Sequence, residues 1–208
     1  CACRSMADRA VARTLLDRER MLDESQRATA LSAIERHAHG LMDFSRDIME
    51  ILQAEEGALP LTRAPLDLGG AAAAALERIR KDFPDHRFGL DVERTHLTVC
   101  ADPRRIGQVI ENLLGNAAKY SPPGTLVSVT VRRGPDHVVV AVSDAGPPLP
   151  GDIVAAPFTR RGPRDDSGGG NGLGLYLCRV LVESMGGRIW AENRPGMVVV
   201  GFLLPVSG

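Results

Sequence analysis

Aromatic residues are scarce: 5 Phe, 2 Tyr and 1 Trp in 208 residues, so any core has to be assembled from Leu, Val, Ile and Ala. Cysteines number 4, and only Cys1 and Cys3 lie close together. Cys100 and Cys178 stand alone, so neither a disulfide framework nor the second half of a zinc site follows, and the pattern predicts free thiols in a reducing compartment. Long apolar runs are absent. The strand-like candidates, Val138–Val142 and Met197–Leu204, fall far short of the roughly 18 residues that cross a bilayer. With no signal peptide either, a cytoplasmic location without membrane contact in this chain is expected; the start at Cys1 rather than Met predicts a piece of a longer protein, one that could carry a membrane-bound sensor part. Charge of one sign is not in excess: Lys plus Arg is 25 and Asp plus Glu 26. That balance argues against holding nucleic acid by general electrostatics, and a hydrophobic fraction of 44% excludes a disordered tail.

At roughly 150 residues per domain the length predicts one to two domains. From Ser25 to about Glu56, apolar or small residues Leu31, Ile34, Ala38, Leu41, Ser45, Ile48 and Leu52 recur at steps of three and four. Phe44 and Ile51 widen that stripe, which asks for more than one partner helix. Upstream, Ala2–Arg20 is helical by composition, with Val11, Leu15 and Leu22 on one side. The expected assembly is a helical hairpin over residues 1–60 that dimerises into a four-helix bundle. Gly57 and the prolines Pro60 and Pro65 break the helix, and a second domain, residues 61–208, follows.

In that second domain, Asp67 caps an Ala-rich helix running to about Phe83, and strand-like pieces follow at Phe88–Val92 and His96–Cys100. Asp102–Pro103 starts a helix that runs to Tyr120 and stops at Ser121–Pro122–Pro123–Gly124. Strands are read at Leu126–Arg133, His137–Ser143, Arg188–Ala191 and Met197–Leu204, with a helix at Leu173–Met185 ended by Gly186–Gly187. Ala145–Gly172 reads as irregular. Strands mixed with helices in this way predict an α+β fold: the helical hairpin, then a two-layer α/β sandwich with a mixed, mostly antiparallel sheet.

Three constellations carry chemistry. In the helix Arg104–Tyr120, one face is apolar, yet Asn112 and Asn116 sit one turn apart with Lys119 next along the same side. Asn is a poor helix-interior residue, and two amide oxygens so placed suit a Mg²⁺ that brings its negative charge on a polyphosphate, with Lys119 adding a cation. Alternatively, they are two surface asparagines on a solvated helix. Second, Ser143–Asp144–Ala145–Gly146 ends an apolar strand: the carboxylate can accept from an exocyclic amine, and the missing side chain of Gly146 lets a flat ring approach. Taken alone, this is also an ordinary turn. Third, Gly168–Gly169–Gly170–Asn171–Gly172–Leu173–Gly174–Leu175 runs into a helix whose free N–H groups attract anions. It is neither a P-loop nor a GxGxxG turn, and flexible linker is its plain alternative. Arg160, Arg161 and Arg164 lie upstream on a loop able to close over phosphate.

In order and spacing, residues from about Thr98 to Pro205 resemble the ATP-binding catalytic domain of bacterial sensor histidine kinases. ADPRRIGQVIENLLGNAAKYSPPG from Ala101 is similar to that family's asparagine box, VSDAGPPLP from Val142 to its first glycine box, and GGGNGLGLYLCRVLVESMGGRIWAEN from Gly168 to its second. More weakly, FSRDIMEILQAEEGALPLTRAPLDL from Phe44 resembles the end of the dimerisation hairpin and the linker. The resemblance implies a Bergerat-type sandwich that binds ATP and Mg²⁺. Asn112 and Asn116 would serve the metal, with Asn112 and Lys119 carrying catalysis. Lys119 and Tyr120 would flank the phosphates and nucleoside, Asp144 would read adenine beside Gly146, and Gly170, Gly172, Leu173, Gly174 and Leu175 would border the ATP lid. Partners would be a second copy of the chain and a response regulator or phosphotransfer protein.

The sequence departs from that pattern in three places. No phosphoacceptor His followed by an acidic residue is found in Cys1–Arg20, and His37 and His39 are followed by Ala38 and Gly40, so no adjacent carboxylate can act as base. Pro148 stands where the first glycine box has its second glycine, which removes an N–H. The lid's usual pair of phenylalanines is reduced to Phe158, after Pro157. Three functions follow for weighing: a histidine kinase core, a degenerate module that binds partners around a vestigial or regulatory nucleotide site, and a hydrolytic ATPase of the gyrase, chaperone and mismatch-repair group. The last needs a glutamate where Asn112 stands, and Glu111 lies about 100° around the helix from the asparagine face. The kinase core is the preferred expectation.

Overall fold

The computed structural model describes residues 23–93, 95, 97–155 and 173–206. The expected first helix of the hairpin (Ala2–Arg20 with Val11, Leu15 and Leu22) lies outside the described residues, as do Cys1 and Cys3, His96, Phe158, the arginines Arg160, Arg161 and Arg164, and Gly168–Gly172. By its contacts the chain divides into two compact units, residues 1–49 and 50–208.

The first described element is a 32-residue helix, α1 (Glu24–Glu55). Asp23 starts it with a reciprocal capping box: its Oδ1 accepts from Gln26 N at 2.8 Å, and Gln26 Oε1 accepts from Asp23 N at 3.3 Å. Gly57, at φ +68°, ends it in a Schellman motif, with Gly57 N donating to Ala54 O and Ala58 N to Gln53 O. The expected apolar stripe is uncovered at Leu31, Leu41 and Leu52, all of which are exposed.

The second unit is an α/β sandwich. Its helices are α2 (Leu68–Asp82), α3 (Pro103–Tyr120), the short α4 (Gly151–Ala155) and α5 (Gly174–Ser184); its strands are β1 (Ala64–Asp67), β2 (Arg87–Val92), β3 (Thr98–Ala101), β4 (Leu126–Arg133), β5 (His137–Asp144), β6 (Arg188–Arg194) and β7 (Met197–Pro205). The main sheet has the order β2-β4-β5-β7-β6, with β2 parallel to β4 and every other pair antiparallel. An N-terminal helix followed in the chain by a mixed, mostly antiparallel α/β sheet domain is the fold class expected. A separate two-stranded ladder joins β1 to β3, Ala64 opposite Ala101 and Asp67 opposite Thr98.

Alternation along the central strands decides which face carries the helices. Val127, Val129 and Val131 of β4 and Val138, Val140 and Val142 of β5 are buried, while the residues between them are only half-buried. Onto that face pack Leu76 and Ile79 of α2, Ile106, Val109, Ile110, Leu113 and Leu114 of α3, and Leu177, Leu181 and Val182 of α5. Phe202 is the one aromatic side chain buried in this core among the described residues, in keeping with the aromatic-poor composition.

Two elements differ from the sequence reading. The segment Leu59–Pro65, read as a helix break alone, also opens β1, where Pro65 pairs with Cys100. β1 sits in a two-stranded ladder with an open edge, and there a proline's missing N–H costs nothing. Within Ala145–Gly172, read as irregular, α4 forms one turn and a half, too short for a 3.6-residue period to show. Among the described residues no helix is long and apolar enough to cross a membrane.

Candidate functional site

α3 is held at its start by charge and at its side by the core. Pro103 occupies the first turn, and Asp102 accepts from Arg104 N at 3.0 Å and Arg105 N at 3.2 Å. The other carboxylate oxygen of Asp102 accepts from Thr62 N at 2.8 Å, tying the linker to the helix. Burial raises the Asp102 carboxyl, but the N–H groups of Thr62, Arg105 and Arg104 and the charge of Arg105 outweigh it and hold the group below the usual carboxylate range. One turn on, Arg105 is buried and pairs with the buried Glu50 at 2.5 Å. Gln108 Nε2 donates to the second oxygen of Glu50 at 3.1 Å, and Arg104 lies 3.5 Å from the first.

With Ile106, Val109, Ile110, Leu113, Leu114 and Ala117 buried, the opposite face of α3 presents Asn112, Gly115, Asn116 and Lys119. Asn112 and Asn116 are half-buried, and among the described residues neither side-chain amide is engaged in a hydrogen bond. A Cβ added to Gly115, on the same exposed side of the helix, would meet nothing within 4 Å beyond its chain neighbours and the helix's own nearby backbone. Lys119 Nζ lies 3.4 Å from Tyr120 Oη and 4.9 Å from the centroid of its ring, both side chains being exposed. Glu111 points elsewhere: its carboxylate pairs with Arg78 of α2 at 2.5 Å.

Asp144, the last residue of β5, is buried against the end of α3. Its Oδ1 accepts from the Gly146 N–H at 2.7 Å and from the Ser121 hydroxyl at 3.0 Å. Burial pushes its carboxyl above the ordinary value, and the bonds from Gly146 and Ser121 offset that only in part. Gly146 has no room for a side chain, since a Cβ there would stand 2.6 Å from Asp144 Oδ1 and 3.3 Å from Tyr120 O. The first two constellations therefore meet: Tyr120 and Ser121 from α3, Asp144 and Gly146 from β5 and its turn.

The third reaches the same helix from the other side. Gly174 opens α5 next to Asn112, and a Cβ at that glycine would lie 3.8 Å from Asn112 Nδ2. Leu173 at the cap makes no side-chain capping bond, so the first N–H groups of α5 carry no cap from it, while Leu173 and Leu175 pack half-buried on the core. Gly170 and Gly172 lie outside the described residues. Tyr176 Oη donates to Glu55 Oε1 at 2.9 Å.

Three contributors were missed in the sequence. Ser121 read as part of a helix stop, and its only signal was its place directly after Tyr120. Asn193 of β6 clamps the segment after Pro148: Leu149 N donates to its Oδ1 at 2.9 Å and its Nδ2 donates to Leu149 O at 2.8 Å. Glu50 carries no sequence signal that sets it apart from the other charged residues of α1. Among the described residues there is no group of three or more His, Cys, Asp or Glu side chains that could hold a metal.

The profile of the histidine kinase-, DNA gyrase B-, and HSP90-like ATPases matches residues 101–208. The probable sensor histidine kinase TcrY of Mycobacterium tuberculosis is 30% identical over 185 residues, which cover 87% of this chain and 39% of TcrY. The adaptive-response sensory kinase SasA of a Synechococcus species is 38% identical over 157 residues, 73% of this chain and 41% of that one. The chain therefore spans about two fifths of the length of these relatives. Among solved structures, a histidine kinase of Acinetobacter baumannii, AdeS, shares the fold over 99% of this chain and 96% of its own, with a TM-score of 0.75 at 21% identity. The mycobacterial sensor histidine kinase MprB superposes on 69% of this chain and 97% of its own, with a TM-score of 0.58 at 30% identity.

Proposed function

Because the chain belongs to the histidine kinase-, DNA gyrase B-, and HSP90-like ATPases, we propose that it is the core of a two-component sensor histidine kinase, which binds Mg²⁺ with ATP and transfers the γ-phosphoryl group to a protein histidine. Residues 1–60 would form the dimerisation hairpin and residues 61–208 the ATP-binding catalytic domain. The observation that carries this reading is convergence on the C-terminal half of α3: Gly174 adjoins Asn112, and Ser121 and Gly146 both bind Asp144.

The roles follow from the chemistry of each group. Mg²⁺, when bound, supplies charge neutralisation for the triphosphate, and the amide oxygens of Asn112 and Asn116 suit it because the phosphates bring the anionic charge. Lys119 offers a cation to the phosphates, and the exposed Tyr120 ring beside it offers a surface to the nucleoside. Asp144 accepts from the exocyclic amine of adenine, and Gly146 holds that carboxylate through its N–H; the room left by its missing side chain is taken by Asp144 Oδ1 and Tyr120 O and is not open to the ring. The first N–H groups of α5, to which Leu173 gives no side-chain cap, attract the phosphates, and Leu173, Gly174 and Leu175 with the preceding Gly170 and Gly172 would border the ATP lid. Phosphoryl transfer asks little covalent chemistry of the protein, so Asn112 and Lys119 act by positioning and charge.

A response regulator or phosphotransfer protein would take the phosphoryl group onward, and a second copy would pair through the exposed Leu31, Leu41 and Leu52. A second reading, a module that binds partners without accepting phosphate itself, draws support from His37 and His39, neither of which precedes an acidic residue. Incubation with γ-labelled ATP separates the two. The kinase reading predicts acid-labile label on a histidine of this chain or of the protein that contains it, and an absence of label favours the second reading.

A further inference from the structure

We propose that Ser121 is the positioning residue that sets base selection: with the Gly146 N–H it occupies Oδ1 of Asp144 and leaves Oδ2 as the acceptor for an amine-bearing purine. The proposal rests on the reading of Asp144 as the base-contacting group, and it adds what fixes that carboxylate.

The geometry separates the two oxygens. Ser121 Oγ, at 3.0 Å, and Gly146 N, at 2.7 Å, both donate to Oδ1, and among the described residues no donor reaches Oδ2. Rotation about the terminal torsion of an Asp side chain is soft, so a carboxylate held by one donor can turn, whereas two donors from different directions on one oxygen fix its plane. The donors come from separate parts of the fold, the end of α3 and the turn after β5.

Ser121 is not needed in this form to end the helix. Its backbone N–H donates to Ala117 O at 3.1 Å, and its φ of −81° and ψ of 147° are open to any L-residue. The carbonyl is steadied separately, 3.4 Å from His86 Nε2. The side chain is nevertheless buried, and Asp144 is the acceptor its hydroxyl finds. A buried hydroxyl aimed at a buried carboxylate raises the stakes for both, because each would otherwise be desolvated without compensation. An unprotonated Oδ2 then attracts the amine at C6 of adenine and repels the carbonyl that hypoxanthine carries at the same place.

The test is calorimetric titration of the parent chain and its variants with Mg²⁺–ATP and Mg²⁺–ITP, with thermal unfolding followed for each. The parent is expected to prefer ATP. Ser121→Ala is expected to lower that preference about 10-fold by weakening ATP alone, the effect of one hydrogen bond to a charged group. Ser121→Thr, which keeps the hydroxyl and suits the extended backbone, is expected to restore it. Should the alanine variant not fold, Ser121→Cys, a weaker donor of similar size, takes its place. Loss of the preference in both the Ala and Thr variants, or in neither, overturns the role of Ser121 while leaving Asp144 in place if Asp144→Asn abolishes the preference. A parent chain that binds the two nucleotides equally overturns the reading of Asp144 and the proposal together.

Discussion

Gly174 sets its backbone against the side chain of Asn112, so close that a Cβ there would touch the amide at 3.8 Å. The two residues are separated by β4, β5 and the segment before α5, and their proximity brings the start of α5 beside the asparagine face of α3. On either side of it stand the start of α5, to which Leu173 gives no side-chain cap, and the helix face of α3 that ends in Lys119. This is an arrangement suited to an anion with its counterion.

Asp144 links the site to pH. Its raised carboxyl pKa means that the folded chain binds a proton more tightly than the unfolded one. The stability from the protonated form is fully present below the unfolded value and is lost as pH rises through the folded value. Amine recognition runs the other way, because it needs the carboxylate. ATP affinity is expected to rise, and unfolding free energy to fall, over the interval just above the ordinary Asp range. Asp144→Asn is expected to flatten both profiles and weaken ATP binding about 10-fold or more. Titrations and urea unfolding across that interval check both signs.

Asp102 has the opposite sign. Its lowered pKa gives stability that is present above the unfolded carboxyl value and lost as pH falls through the folded one. Asp102→Ala removes the cap of α3 and the tether to Thr62, at an expected cost of about 1–2 kcal/mol in urea unfolding. Asp102→Asn is expected to keep most of the cap and to remove the acid-side dependence.

Glu50 and Arg105 are each almost wholly buried and paired at 2.5 Å. Glu50→Ala leaves the guanidinium uncompensated, and the expected loss is about 3–5 kcal/mol of unfolding free energy. Replacing both residues with Met is expected to recover much of it, since two well-packed apolar side chains carry no buried charge. A double variant as unstable as the single one would show that the pair holds more than its own charges.

What was legible in the sequence was local. The caps Asp67 and Asp102 act on N–H groups two and three residues away, so they could be read directly, and α2 and α3 start where they say. The alternation in β4 and β5 and the asparagine spacing in α3 are likewise short-range. The partners of Ser121 and Asn193 are not. Ser121 meets Asp144 across 23 positions, and Asn193 meets Leu149 across 44, and no spacing rule names a partner at that distance. β1 was hidden for a different reason, since Pro65 reads as a break unless the ladder is known to have an open edge.

The most direct measurement is the affinity of the chain for Mg²⁺–ATP before and after Asn116→Ala, by calorimetry at fixed Mg²⁺. Asn116 is half-buried on the open face, away from the core residues of α3, so the variant is expected to unfold at the parent's temperature. ATP affinity is expected to fall at least about 10-fold in the folded variant. Unchanged affinity would contradict that role of Asn116.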